Sequence, residues 1–139
     1  MNWVFWALLS ALFAALTAIL AKVGIAGVNS NVATAVRTTV VLGFTWLLAV
    51  PGLRESPLDS LSRRTWLFLA LSGMATGASW LCYFRALQLG KASQVAPVDK
   101  LSVVLVLLFA ALFLGEKLTL REYAGAGLIA AGALLIALK

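Results

Sequence analysis

Of the chain's 139 residues, 63% are apolar and 12% charged, whereas soluble domains run at about 45–50% and about 25%; a soluble domain of this size has too little interior for so much apolar surface, so lipid must cover it. The formal charge of +6 does not mark a nucleic-acid binder, because the Lys and Arg residues sit between or at the ends of apolar runs and form no basic stripe. With no histidine and a single cysteine, Cys82, inside an apolar run, the chain offers no imidazole metal site, no Ser-His or Cys-His catalysis and no internal disulfide, so neither cofactor, metal nor enzymatic activity is expected.

A helix crossing the bilayer needs about 20 mainly apolar residues. Five segments meet that length or nearly so, and the predicted fold class is all-α: a polytopic membrane protein with helices over 3–22, 32–50, 66–87, 94–114 and 120–138 of one domain, 1–139. The first segment carries no charge before Lys22. No Lys or Arg precedes its long apolar run, so it reads as a retained helix and not as a cleaved leader. The second carries Arg37 and stops at Pro51-Gly52, a pair that breaks helices. The stretch from Arg54 to Arg64, with Glu55, Asp59 and Arg63, is the one sizeable loop, and Asp59 or Ser60 can cap the entry to the third helix. The third segment ends near Arg85. The fourth, between Gly90 and Gly115, holds Pro97, Asp99 and Lys100. The fifth opens at Tyr123. Trp3, Trp6, Trp66 and Tyr123 stand at segment starts, where amphipathic rings favour the membrane interface.

A charge near the bilayer centre costs about 2.5–3.5 kcal/mol on insertion scales, so the charges inside the segments are the informative residues. At about 1.5 Å per residue, Arg37 lies about 20 Å along the second helix from Pro51, and Lys100 lies roughly 22 Å along the fourth from Gly115. If each segment spans once, Arg37, Asp99 and Lys100 share one layer, and an ion pair or triad among them is the cheapest arrangement; these three are the candidate gate or coupling residues. Pro97 admits two readings. Either it opens the fourth helix, with Asp99 a first-turn acid and Lys100 reaching to the headgroups, or it breaks a helix that begins at Ser93, as in the interrupted helices that line transporter sites.

Two segments carry a polar stripe at helical spacing. Thr34, Arg37, Thr38 and Thr45 share a face of the second; Gly73, Thr76, Gly77, Trp80, Tyr83 and Phe84 share a face of the third. Lipid-facing stripes are made of Leu, Val and Ile, so these faces are expected to meet protein or a water-filled cavity. Thr34, Arg37, Thr38, Thr76, Trp80 and Tyr83 are the candidate substrate pathway, with interior packing the alternative for Trp80 and Tyr83. Gly73 and Gly77 form a GxxxG pair, and Gly125, Gly127 and Gly132 punctuate the fifth segment. Such residues let helices approach closely in lipid, either within the chain or between subunits.

The runs Ala86-Leu87-Gln88-Leu89-Gly90, Ala96-Pro97, Leu114-Gly115-Glu116-Lys117-Leu118-Thr119 and Ala124 to Gly132, together with Lys22 and Ala35-Val36-Arg37, resemble an EamA-type domain of the drug/metabolite transporter superfamily. The resemblance covers most of the chain. It implies a secondary-active, alternating-access transporter of a small organic solute. It also implies a ten-helix relative built as two inverted five-helix halves, of which this sequence matches one. The sequence departs from the related small multidrug resistance proteins in lacking a carboxylate in the first segment. Asp99, Glu116 and Glu122 are the remaining helix-associated acids, and Glu116 reads as a turn residue.

With five spans, Arg54, Arg63, Arg64, Lys117 and Arg121 fall on the amino-terminal side. Lys22, Arg85, Lys91 and Lys139 fall on the other, joined by Arg37 and Lys100 if these reach outward. Orientation follows the Lys/Arg difference between sides, and here it nearly vanishes. Insertion in both orientations is therefore expected. The resemblance, whose fused relatives carry inverted halves, implies in addition that a lone half pairs with an inverted copy, so an antiparallel homodimer in a bacterial inner membrane is expected, with the bilayer and a small-molecule substrate as the other partners and no nucleic acid. The competing function is a non-transporting membrane scaffold or regulatory subunit.

Overall fold

A computed structural model describes residues 2–54 and 58–138. Glu55 of the loop and the carboxyl-terminal Lys139 of the charge count lie outside the described residues, as does the side chain of Arg54. The described residues form helices and connecting turns, with no strand among them: α1 (Trp3–Gly24), α2 (Ser30–Ala49), α3 (Arg63–Leu89), α4 (Ala92–Asp99), α5 (Ser102–Phe109) and α6 (Leu120–Ala137). Short 3-10 turns cover Val50–Arg54 and Leu58–Ser60, and a π-helical turn covers Ala110–Leu114. Five stretches are long and apolar enough to span a membrane: Trp3–Gly24, Ser30–Leu53, Arg63–Leu89, Ala92–Leu114 and Leu120–Ala137. This is the five-span all-α architecture the sequence predicts. At most 6% of each span's most apolar window is buried inside the chain, so most of the apolar side chains are left for lipid or another subunit to cover.

The caps show why the helices begin where they do. Asn29 precedes α2, and its side-chain oxygen accepts the Asn31 backbone N–H at 2.9 Å. At α3 the capping oxygen is that of Ser62, which accepts the Thr65 N–H at 3.1 Å. Asp59 and Ser60 instead belong to the preceding 3-10 turn. Helix α3 thus starts three residues earlier than the apolar pattern predicts, taking Arg63 and Arg64 into its first turn. A cation is unfavourable at a helix N-terminus; Arg64 lies over Phe68, its Cζ 5.8 Å from the ring centroid, where the ring face offsets part of that cost. With 27 residues, α3 is about 40 Å long against a hydrocarbon core of about 30 Å, so its ends extend into the interfaces.

The chain divides into two compact units, one of Met1–Lys22 with Leu89–Lys139 and the other of Val23–Gln88. In the first, α6 packs against α4 and α5, and the Lys22 ammonium donates to the Gly90 carbonyl at 2.8 Å, joining the end of α1 to the start of α4. In the second, Gln88 near the end of α3 donates to the Val28 carbonyl at 2.6 Å while accepting from Arg85 at 3.0 Å. Val28 follows Gly27, whose φ of +73° makes the turn between α1 and α2.

The span Ala92–Leu114 is not one helix. Pro97 lies inside α4 without ending it. The interruption comes at Lys100 and Leu101, where bonding tightens to the i→i+3 pattern. Lys100 N–H is shared between Ala96 O at 3.3 Å and Pro97 O at 3.1 Å, and Leu101 N–H reaches Val98 O at 3.0 Å. At the far end Gly115 takes φ +68° and its N–H, like that of Glu116, returns to Ala110 O, closing the span. Helix α6 then opens on a capping box. The Thr119 side chain accepts from the Glu122 backbone at 3.4 Å, and the Glu122 carboxylate accepts from the Thr119 backbone at 2.6 Å. The Leu114-to-Thr119 motif therefore has a local physical meaning: a left-handed stop, a short extended link and a helix start.

Candidate functional site

Helices α2 and α3, both in the Val23–Gln88 unit, bring together the centre of the predicted pathway. The Arg37 guanidinium lies over Trp80, its Cζ 4.2 Å from the ring centroid, and 5.5 Å from that of Phe84. Trp80 and Phe84 are one helical turn apart on α3 and so present their rings on one face. Tyr83 stands beside them, half-buried, and interacts electrostatically with Arg37. Phe84 is almost fully buried and forms part of the arginine's seat; its place on the third segment's polar face marked it as interior, but nothing in the sequence pairs it with Arg37.

The predicted pathway threonines are present on these helices in a particular chemical state. Thr34 donates to Ser30 O at 2.8 Å, Thr38 to Thr34 O at 2.8 Å, and Thr76 to Ser72 O at 2.9 Å. Thr39 and Thr45 do likewise on α2, at 3.1 Å to Ala35 O and 2.8 Å to Val41 O. Each hydroxyl proton is thereby committed to the preceding turn, and each side chain offers only lone pairs to its surroundings. Thr34 is buried, while Thr38 and Thr76 are exposed.

Asp99 and Lys100, the other predicted gate residues, lie at the interruption of the fourth span in the first unit. Their charges are 3.7 Å apart, with the two side chains 37% and 56% exposed. At that exposure the pair contributes little stability on its own. Within its own unit Arg37 is held by aromatic rings. An apolar groove of about 170 Å³ also lies in the first unit, lined by Val104, Leu107, Leu108, Leu118, Tyr123 and Ala126. None of the predicted pathway residues lines it.

The predicted packing glycines face open space. A Cβ built on Gly73, Gly77, Gly125, Gly127 or Gly132 meets no atom within 4 Å. Among the described residues no neighbouring helix makes the close approach that such residues permit. Nor do they contain a cluster of three or more His, Cys, Asp or Glu able to hold a metal ion.

Five apolar spans, one of them interrupted beside a charged pair, and an arginine held inside another define a multi-pass membrane protein with polar chemistry at membrane depth. Comparison with known proteins names its class: residues 1–138 match the model of the EamA-like transporter family, and the chain belongs to that family. It is also 60% identical over 137 residues to the "Uncharacterized transporter in cobO 3'region" of Sinorhizobium sp, covering 98% of this chain and 96% of that protein. No solved structure matches.

Proposed function

We propose that this membrane transporter works by secondary-active alternating access on a small organic solute, as an antiparallel homodimer in a bacterial inner membrane, without catalysing a reaction. The observation that carries the reading is the interruption of the fourth span at Lys100–Leu101, immediately after Asp99. Discontinuous helices with charged residues at the break are a recurrent way to form solute and ion sites inside a membrane, because freed backbone groups and side chains can face a cavity there. In this reading Arg37, Thr34, Thr38, Thr76, Trp80 and Tyr83 line the solute path, and Asp99 and Lys100 with Arg37 act as gate or coupling groups.

The dimer is supported by two features. A Cβ added at Gly73, Gly77, Gly125, Gly127 or Gly132 would meet no atom of the described residues within 4 Å, and glycine-rich faces are the surfaces on which helices associate most closely in lipid. The near-equal division of Lys and Arg between the two sides lets copies insert both ways. Uptake of a panel of radiolabelled metabolites into proteoliposomes, with and without a pH or sodium gradient, tests the proposal. Gradient-dependent accumulation of a solute supports it; exchange rates equal to those of empty liposomes across the panel reject it.

A further inference from the structure

Arg37 is a cation inside the second span, and among the described residues of its own unit the partners of its guanidinium are aromatic rings. Among the described residues of Val23–Gln88 the one acid is Asp59, in the 3-10 turn Leu58–Ser60 that follows α2. Arg37 lies about 20 Å along the helix axis from Val50, where α2 ends. From the other end, Arg37 is seven residues past Ser30, the first residue of α2, a depth of about 10 Å. A charge at such a depth is costly, and such charges characteristically mark solute or ion paths.

The guanidinium touches Trp80 at 4.2 Å and Phe84 at 5.5 Å. Ring faces attract the cation, yet they leave its in-plane N–H fork without acceptors. On the same helix, Thr34 and Thr38 have given their hydroxyl protons to Ser30 O and Thr34 O, so those protons are not offered to an anion. The cluster therefore presents one flat cation with parallel N–H donors, seated on ring faces. The anion that fits such a fork is planar with two equivalent oxygens: a carboxylate.

We infer that the Arg37–Trp80–Phe84 cluster binds the carboxylate of a small organic anion, and that this protein's solutes are organic acids in their ionised form. The assignment of this anion as cargo rests on the transport reading above; the binding site itself does not. A lipid phosphate is the other oxyanion within reach of a membrane arginine, and the experiment separates the two.

The full chain in dodecyl maltoside, a detergent without charge, is titrated by calorimetry with benzoate and with benzamide, its neutral analogue of nearly the same shape. Saturable benzoate binding about tenfold or more tighter than benzamide is expected, the difference attributable to one charge-assisted pair. Arg37→Lys keeps the charge and loses the fork, and should weaken benzoate about tenfold. Arg37→Gln should abolish it. Arg64→Gln removes one charge from another arginine–aromatic pair of α3 and should leave the affinity unchanged. Circular dichroism matching wild type for Arg37→Lys separates lost recognition from lost folding. Equal affinity for benzoate and benzamide, or an Arg37→Gln protein binding like wild type, overturns the inference. So does the result in nanodiscs that phosphatidylglycerol, added to phosphatidylcholine, abolishes benzoate binding, because the occupant is then a headgroup. A protein that binds benzoate through Arg37 yet accumulates no solute in proteoliposomes leaves this site standing and removes the transport reading. Gradient-driven uptake without benzoate binding does the reverse.

Discussion

Replacing Gly115 by alanine isolates backbone strain from every other effect. Gly115 has φ +68°, and a Cβ added there meets no atom within 4 Å, so the substitution creates no clash and removes no contact. What remains is the cost of an L-residue in the left-handed region, about 1–2 kcal/mol, equivalent to roughly a 5- to 30-fold fall in the folding equilibrium constant. Asparagine tolerates that region better and should recover part of the loss. Gly43 supplies the opposite case. It lies inside α2, its φ is not positive, and a Cβ there also meets nothing. Alanine at Gly43 should stabilise by up to about 1 kcal/mol, the helix-propensity difference. Equilibrium unfolding in mixed micelles, followed by circular dichroism, measures all three. The order of stability expected is Gly43→Ala, wild type, Gly115→Asn, Gly115→Ala. If Gly115→Ala is as stable as wild type, the turn that closes the fourth span is not held in a left-handed conformation, and the account of the Leu114-to-Thr119 motif fails.

Further outcomes follow from the same geometry. Thr119→Ala removes one half of the capping box and should lower the unfolding midpoint, whereas Thr119→Ser should restore it; equal midpoints for the two would show that α6 does not depend on this cap. Asp99→Asn should reduce transport more than Glu55→Gln, and combining it with Arg37→Gln should give less than the sum of the single losses if Arg37 and Asp99 interact; additive losses in uptake would show them to be independent. Carboxyl-terminal reporter fusions should give signal from both a cytoplasmic and an external reporter. Two or three lysines added after Lys139 should bias orientation and lower transport until an oppositely biased copy is co-expressed. Signal from one side alone, with no partner of opposite orientation, removes the antiparallel dimer.

The spans were legible in the sequence because apolar length is a strong signal: a run such as Trp3 to Ala21, without a charge, has few alternatives in water or lipid. The ends were legible only where a side chain announces its bond. The apolar pattern places the start of α3 at Trp66, but the Ser62 hydroxyl that starts it lies four residues before the first periodic residue and behind two arginines. The sequence allows Pro97 either to open the fourth helix or to break one begun at Ser93, since proline lacks the N–H that would bond to Ser93. The helix passes through Pro97 and tightens three residues later, at a Lys-Leu pair with no intrinsic tendency to break; that position depends on packing, which a single sequence does not reveal. Among site residues, Arg37 and Trp80 were each identifiable as polar or amphipathic groups at membrane depth. Their contact was not, because the register of α2 on α3 follows from three-dimensional packing.

The threonines of α2 bear on how the chain enters the membrane in the first place. All four of them, Thr34, Thr38, Thr39 and Thr45, bond their hydroxyl protons to carbonyls of their own helix. A hydroxyl that needed a partner on another helix would make α2 a poor passenger for the insertion machinery until that helix arrived, since an unmet donor in hydrocarbon is expensive. Self-bonded threonines remove that delay: apart from Arg37, α2 can leave the insertion channel and reside in lipid alone during synthesis, before α3 exists. Arg37 is then the group that waits, at a depth from which its long side chain can still reach the headgroups, until Trp80 and Phe84 are made and draw it into place.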